Sequence, residues 1–321
     1  MSLTRLTIVC AFVAFAFAPA DAADDDASAA RRASLERIQE MRKDRPGDGV
    51  LVFYQALVHI SLGERDGAFE LLRSLEGRNL GLIPVRDIGF DAVWDDADFQ
   101  AIRKELEEEE AKTPISPVAF RLKDPKLIPE GIAFDAKSER FFIGSIAQRK
   151  IIATDGKGES RDFSSVDDKL DTVLGLALDP SGEHLYAVST NGLLDEAKTE
   201  RRNAVFRYGL KSGQLVDRFI AADAMQLNDL AIAPDGTLYV TDSMGGTLFR
   251  KKPDEAALLP FGTAGALRGA NGIALGADGM LYVGVSTGIV RIDIATGQPT
   301  KLPQPDTVVT GGMDGLYWYN G

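Results

Sequence analysis

Five stretches of this chain repeat one another, and the repetition limits the folds open to it more than any other feature. The clearest copy is ANGIALGADGMLYVGVSTGIVRIDIATG at 270–297. Asn271-Gly272 opens it, Ile273, Ala274 and Leu275 form a short apolar strand, and Ala277-Asp278-Gly279 turns the chain. Leu281-Tyr282-Val283 follows, then a turn at Thr287-Gly288. A third strand sets Val290, Ile292 and Ile294 on one face and Arg291 and Asp293 on the other. Period-two alternation broken by glycine turns specifies antiparallel strands joined by hairpins. Echoes lie at 129–144 (PEGIAFDAKSERFFIG), 174–188 (LGLALDPSGEHLYAV), 227–243 (LNDLAIAPDGTLYVTDS) and 313–321 (MDGLYWYNG). Aligned on the residue before the first small apolar strand, they place Glu130, Gly175, Asn228, Asn271 and Asp314 at one position, at intervals of 45, 53, 43 and 43 residues. A four-strand unit repeated at this spacing reads as a β-propeller, because one blade cannot bury both of its faces alone. Residues at the start of each innermost strand then face a common channel, and four of these five carry oxygen donors.

The repeats assign blades to 127–160, 172–220, 226–265 and 270–303, with a charged insertion at 192–203 lengthening the second. A fifth blade starts at Met313, and the chain ends at Gly321 inside strand-forming residues. A closed ring leaves no open sheet edge. The expectation is therefore a propeller cut after four blades and the first strand of a fifth, with roughly one and a half to two blades beyond. The rival is a short protein that closes by oligomerising.

Ahead of the repeats the pattern is helical. Residues 1–22 read as a secretory signal peptide: Arg5, the apolar run LTIVCAFVAFAFA, and Ala20-Asp21-Ala22 as a small-x-small cleavage site. The run is short for a membrane span, so the processed chain is expected to be secreted or periplasmic and not membrane-spanning. Cys10 leaves with the signal, and no thiol chemistry remains. Residues 23–33 read as a disordered lead-in and 34–112 as a helical domain, with Leu35, Ile38 and Met41 on one stripe and a break at Pro46-Gly47. Tyr54, Ala56, Gly63 and Ala68 resemble one degenerate tetratricopeptide unit, which makes a protein partner for this domain an expectation. Asp95 or Asp96 is placed to cap a last helix, and the Glu107–Glu110 run reads as a solvated face. Pro114 and Pro117 mark a linker at 113–120, and the partial propeller occupies 121–321.

The formal net charge of −12 argues against nucleic acid or an anionic membrane as partner. His59 and His184 are the only histidines. His59 lies in the helical region, and His184 lies within a second strand, away from the expected channel mouth. A Ser-His-Asp triad is therefore not supported by the repeat register. Carboxylates with amide oxygens are hard donors suited to calcium or magnesium.

Pro-Glu-Gly at 129–131, Asn228-Asp229, Asn271-Gly272 and Asp314-Gly315 together resemble the family of senescence marker protein (regucalcin) and gluconolactonase, over about residues 120–321. The resemblance implies a six-bladed propeller with a divalent cation, most often calcium, in its channel. Carried over, Glu130, Asn228, Asn271 and Asp314 are the implied metal ligands, and Asp314 the implied catalytic base. Asn228, Asp229 and Gln226 are the implied substrate contacts. The implied activity is hydrolysis of a small lactone or ester. Two departures stand out. Gln226 occupies a position that is Arg in members acting on sugar-acid lactones, and Leu230-Ala231 follow Asn228-Asp229 in place of Gly-Lys. The alternative is a non-catalytic, NHL-like propeller that binds a ligand or a protein.

Overall fold

The computed structural model describes residues 24–111, 117–157, 159–304, 308 and 310–319. The signal peptide, Cys10 and the first half of the expected linker, Pro114 included, lie outside the described residues. The chain divides into two compact units, Met1–Ser116 with Gln304–Val309, and Pro117–Pro303 with Thr310–Gly321. No described helix is long and apolar enough to cross a membrane.

The first unit holds helices α1 (Asp24–Asp44), α2 (Gly49–Ser61), α3 (Arg65–Arg73) and α4 (Ala97–Ala111), with short 3-10 turns at Arg86–Ile88 and Asp91–Val93. Residues 24–33, expected to be disordered, belong to α1. Alanine and arginine dominate that stretch and are strong helix formers. Asp48 starts α2 by accepting the amides of Val50 and Leu51 at 3.0 and 3.2 Å, as an N-cap should. Gly63 takes a φ of 76° in the turn to α3, a conformation that only glycine adopts without cost. Ala56, Ala68 and Leu72 are fully buried between the pair. Phe53, Phe90 and Phe99 pack ring against ring beside them, with successive centroids 5.5 Å apart. Asp96 is the cap of α4, accepting from Asp98 and Phe99. The Glu107–Glu110 run is more than a solvated face, because Glu109 accepts the backbone amides of Gly77 and Asn79. His59 is paired with Glu64, Nδ1 to Oε2 at 2.6 Å.

The second unit is mainly β. Four antiparallel sheets each hold four strands in sequence order. They are β1 (Pro129–Asp135), β2 (Arg140–Ser145), β3 (Ile151–Thr154) and β4 (Ser160–Asp162); then β5 (Thr172–Leu178), β6 (His184–Thr190), β7 (Asn203–Gly209) and β8 (Leu215–Ile220). The third is β9 (Leu227–Ile232), β10 (Leu238–Asp242), β11 (Thr247–Lys251) and β12 (Leu259–Phe261), and the fourth β13 (Ile273–Leu275), β14 (Leu281–Val285), β15 (Gly288–Ile292) and β16 (Pro299–Lys301).

An apolar layer separates each sheet from the next. Phe142, Val173, Leu176 and Phe206 fill the first gap. Val188, Val205, Leu230 and Phe249 fill the second, and Tyr239, Leu248, Ile273 and Leu281 the third. The first strands sit side by side, β1 on β5, β5 on β9 and β9 on β13. Meander sheets stacked face to face with their first strands adjacent are the blades of a β-propeller. The 192–203 insertion forms the β6–β7 connection and contains a 3-10 turn at Asp195–Lys198. His184 starts β6 and pairs with Asp179 in the adjoining turn at 3.0 Å. Residues 313–319 carry no assigned strand, although the amide of Gly272 donates to the Asp314 carbonyl at 2.8 Å.

Candidate functional site

A bulge recurs at the start of every inner strand. In the first blade Pro129 pairs with Ser145 and Ile132 with Ile143. In the second, Val173 pairs with Ser189 and Leu176 with Ala187. In the third, Leu227 pairs with Asp242 and Leu230 with Val240. In the fourth, Gly284 accepts the Asn271 amide and donates to the Gly272 carbonyl, each at 2.9 Å. Two residues thus oppose one, which bends the strand and re-aims the bulged side chains.

This register corrects the sequence alignment. The paired positions make Glu130-Gly131, Leu174-Gly175, Asn228-Asp229 and Asn271-Gly272 equivalent, so Leu174, not Gly175, stands where Glu130 stands. The first two intervals become 44 and 54 residues. The second blade still offers no oxygen ligand, because Leu174 is a buried apolar side chain.

The second bulge residue is where neighbouring inner strands touch. A Cβ on Gly131 would lie 2.0 Å from the Leu174 carbonyl oxygen, and one on Gly272 would lie 2.4 Å from the Leu316 nitrogen. A Cβ on Gly175 would lie 2.4 Å from Asp229 Oδ1. Side chains other than hydrogen do not fit there. Asp229 is the exception in the series, and its carboxylate ties two strands. Oδ1 accepts the Leu230 amide at 2.9 Å and Oδ2 the Ile273 amide at 3.2 Å.

The hydrogen-bond chain fixes both asparagine amides. Ser243 donates its hydroxyl to the Ala270 carbonyl at 2.5 Å, so toward Asn228 it can only accept. Asn228 Nδ2 is the donor at 2.9 Å, and the Asn228 oxygen points elsewhere. Asn271 Nδ2 donates to Asp314 Oδ1 at 2.7 Å, because an ionised carboxylate only accepts. That leaves Asn271 Oδ1 and Asp314 Oδ2 as oxygens outside this bond. Thr241 holds the seam behind them, accepting the Asp229 amide at 2.9 Å and donating to the Asn271 carbonyl at 2.8 Å.

The electrostatics tie Glu130 and Asp229 to the charge of Asp314. Burial, then the charges of Asp314 and Asp229, push Glu130 up to about 7. Burial raises Asp229 to about 6, against the Leu230 and Ile273 amides that favour its ionised form and with the Asp314 charge adding to the rise. Among the described residues, no lysine or arginine is among the groups acting on either carboxyl. Burial and the charges of Asp229, Glu130 and Asp314 also raise the Tyr317 phenol, so this ring belongs to the same neighbourhood. Like charges gathered without a protein counter-charge favour a bound cation. Among the described residues no three His, Cys, Asp or Glu side chains stand close enough to hold a metal on their own. A cation here would draw on the amide oxygens of Asn228 and Asn271 as well.

Gln226 stands apart from this group. It is buried, its amide donates to Asp242 Oδ1 at 2.8 Å, and a Cβ on Gly192 would meet its Cγ at 2.7 Å. Gln226 packs on the β6–β7 connection. Thr241, Ser243 and Tyr317 were not singled out from the sequence. The polar triplet Thr241-Asp242-Ser243, closing the strand that faces Asn228-Asp229, was the available signal for the first two.

No family model matches the chain, and no curated protein matches it. Solved propellers resemble it weakly. A catalytically inactive virginiamycin B lyase from Staphylococcus aureus, solved with quinupristin, is 17% identical, with 58% of this chain and 59% of that one covered and a TM-score of 0.46. A candidate gluconolactonase is 21% identical, with 54% and 62% covered and a TM-score of 0.41. A chain of a nidogen–laminin complex is 17% identical, with 55% and 64% covered and a TM-score of 0.44. The chain spans 59% of the length of the first of these. At such values the fold rests on the sheets described above, and no chemistry passes from these proteins to this one.

Proposed function

We propose that the inner ends of the blades form a divalent-cation site serving hydrolysis of a small lactone or ester. The observation that carries this reading is the Asn271–Asp314 hydrogen bond at the inner ends of the strands, beside a Glu130 that the charges of Asp314 and Asp229 raise, with two asparagine oxygens turned away from their protein partners and, among the described residues, no lysine or arginine among the groups acting on Glu130 or Asp229. Glu130, Asn228, Asn271 and Asp314 would hold the cation, calcium before magnesium, since all four offer hard oxygen donors. When bound, such an ion polarises a carbonyl and eases ionisation of water.

The roles of the protein groups follow from their hydrogen bonds. Both oxygens of Asp229 serve backbone amides, so Asp229 braces the β9–β13 seam. Asp314 is held at Oδ1 by Asn271, and its other oxygen has two lone pairs, one for the cation and one for a proton, which makes it the candidate base. Asp314 Oδ2 would take a proton from the attacking water as the water oxygen bonds to the carbonyl carbon. It would return that proton to the ring oxygen as the carbon–oxygen bond breaks, giving a hydroxy acid. Asn228 is positioned for substrate or cation.

This reading keeps the kinship with regucalcin and gluconolactonase, the tetratricopeptide-like reading of α2 and α3, and secretion or a periplasmic location as proposals from the sequence. The test is turnover of a panel of neutral lactones and aryl esters by the full chain with calcium. Asp314→Asn should lower kcat at least about 100-fold, the usual scale of general-base catalysis, while the fold is retained. Calcium binding without turnover on any substrate would instead favour a cation-braced binding propeller.

A further inference from the structure

A second polar pocket, separate from the carboxylates, lies between the first two blades. Its volume is about 260 Å³, close to the lower end of small-molecule sites. Arg149, Lys169, Arg202 and Arg218 line it with a single carboxylate, Asp171. Beside the lining, Glu200 Oε2 also pairs with Arg202 Nη1 at 3.3 Å, so Arg202 is fully offset, and Arg149, Lys169 and Arg218 remain as a local excess of cations in a chain of net charge −12. Asp171 is already engaged. Arg202 grips it in a fork, Nε to Oδ2 and Nη2 to Oδ1, both at 2.9 Å. Arg149 reaches only 3.9 Å from the same carboxylate. Arg218 lies opposite Phe206 in the ladder, its guanidinium 5.5 Å from that ring's centre.

The backbone gives a separate indication. Arg149 and Lys169 hold φ angles of 51° and 60°, in the left-handed region that favours glycine. Lys169 takes it as the cap that ends the Val166–Asp168 3-10 turn, and the surrounding structure holds both positions there. Both of these strained positions put a cation at the rim of this one pocket. The floor supplies a donor as well. Ser189 Oγ accepts the Asp171 amide at 2.9 Å, which leaves its own proton to give. Leu170, Ala204 and Phe206 form the apolar wall.

We propose that this inter-blade pocket binds a small oxyanion, a phosphate or carboxylate group. Arg149, Lys169 and Arg218 supply the charge. Arg202, neutralised by Asp171, shapes the wall. Guanidinium groups suit either oxyanion by paired hydrogen bonds.

The experiment is calorimetric titration of inorganic phosphate and of citrate into the full chain, at ionic strength held constant with sodium chloride. Saturable binding of at least one probe, one per chain, is expected. An Arg149→Gln/Arg218→Gln double variant should weaken it at least about tenfold, the factor a charge-assisted hydrogen bond carries. Lys104→Gln, on the helical unit, should change nothing. Lys169→Gly should raise the melting temperature by relieving the backbone while weakening the same binding, and it decides the matter if the double variant does not fold. Absence of saturable binding by both probes, or wild-type affinity in the folded variants, would overturn the proposal.

Discussion

Without a bound cation this protein should be less stable at neutral pH than in mild acid, and Glu130 should be the main reason. Glu130 moves from 4.5 to about 7 in the folded chain, and Asp229 from 3.8 to about 6. The folded state therefore binds more protons than the unfolded state between about pH 4 and 7. Stability falls with rising pH wherever the folded state holds the extra protons, so the protonated site is stable and the ionised one strained. A displacement from 4.5 to about 7 corresponds to about 3 kcal/mol at about 1.4 kcal/mol per pH unit. Glu130 is only half-buried, and screening by water brings this to about 2 kcal/mol. Asp229 adds to it, less than independently, because both groups feel Asp314. Several turn aspartates, Asp135 and Asp278 among them, are held below their ordinary values. Their contribution is lost only as pH falls below about 4, outside this window. The assay is urea denaturation in chelator at pH 5, 6, 7 and 8, followed by circular dichroism. Unfolding free energy should drop by about 2 kcal/mol or more from pH 5 to 8. Glu130→Gln should flatten most of that slope and raise stability at pH 8. A flat or rising profile for the wild-type chain in chelator would refute the reasoning.

Two further outcomes follow from the packing. Gly131→Ala forces a Cβ to within 2.0 Å of the Leu174 carbonyl, so the first two blades must separate. A loss of about 3 kcal/mol or more is expected by denaturation, and Gly236→Ala, with no contact nearer than 3.5 Å but a φ of 85°, should lose less. Ser243→Ala removes the acceptor that orients Asn228; it should lower stability by about 1 kcal/mol and weaken calcium binding about fivefold or more, both measurable on one preparation.

The blade boundaries were legible because the repeat carries its own punctuation: a short apolar run, an Asp-Gly turn, then an aromatic-rich strand. The fault lay inside the bulge. Leu174-Gly175-Leu176 contains no polar marker, so alignment on apolar residues slipped by one, and only the ladder pairs reveal that Leu174 stands opposite Glu130 in the series. The donors Glu130, Asn228, Asn271 and Asp314 were readable as residue types at a repeat spacing. Their hydrogen bonds were not, because these depend on Thr241 and Ser243 from the neighbouring strand. Asp229 was read as a substrate contact, yet its two oxygens serve Leu230 and Ile273, a role that requires knowing how closely β9 approaches β13. The basic pocket was hidden for a similar reason. Arg149, Lys169, Arg202 and Arg218 are scattered along the sequence, and only the stacking of two sheets collects them.

The most direct measurement of the central claim is calorimetric titration of calcium into the metal-free full chain at pH 6 and pH 8, in two buffers of different ionisation enthalpy. The account predicts one ion per chain, release of protons at pH 6 and almost none at pH 8, and loss of binding in Glu130→Gln. Absence of saturable binding, or binding that Glu130→Gln leaves intact, would contradict it.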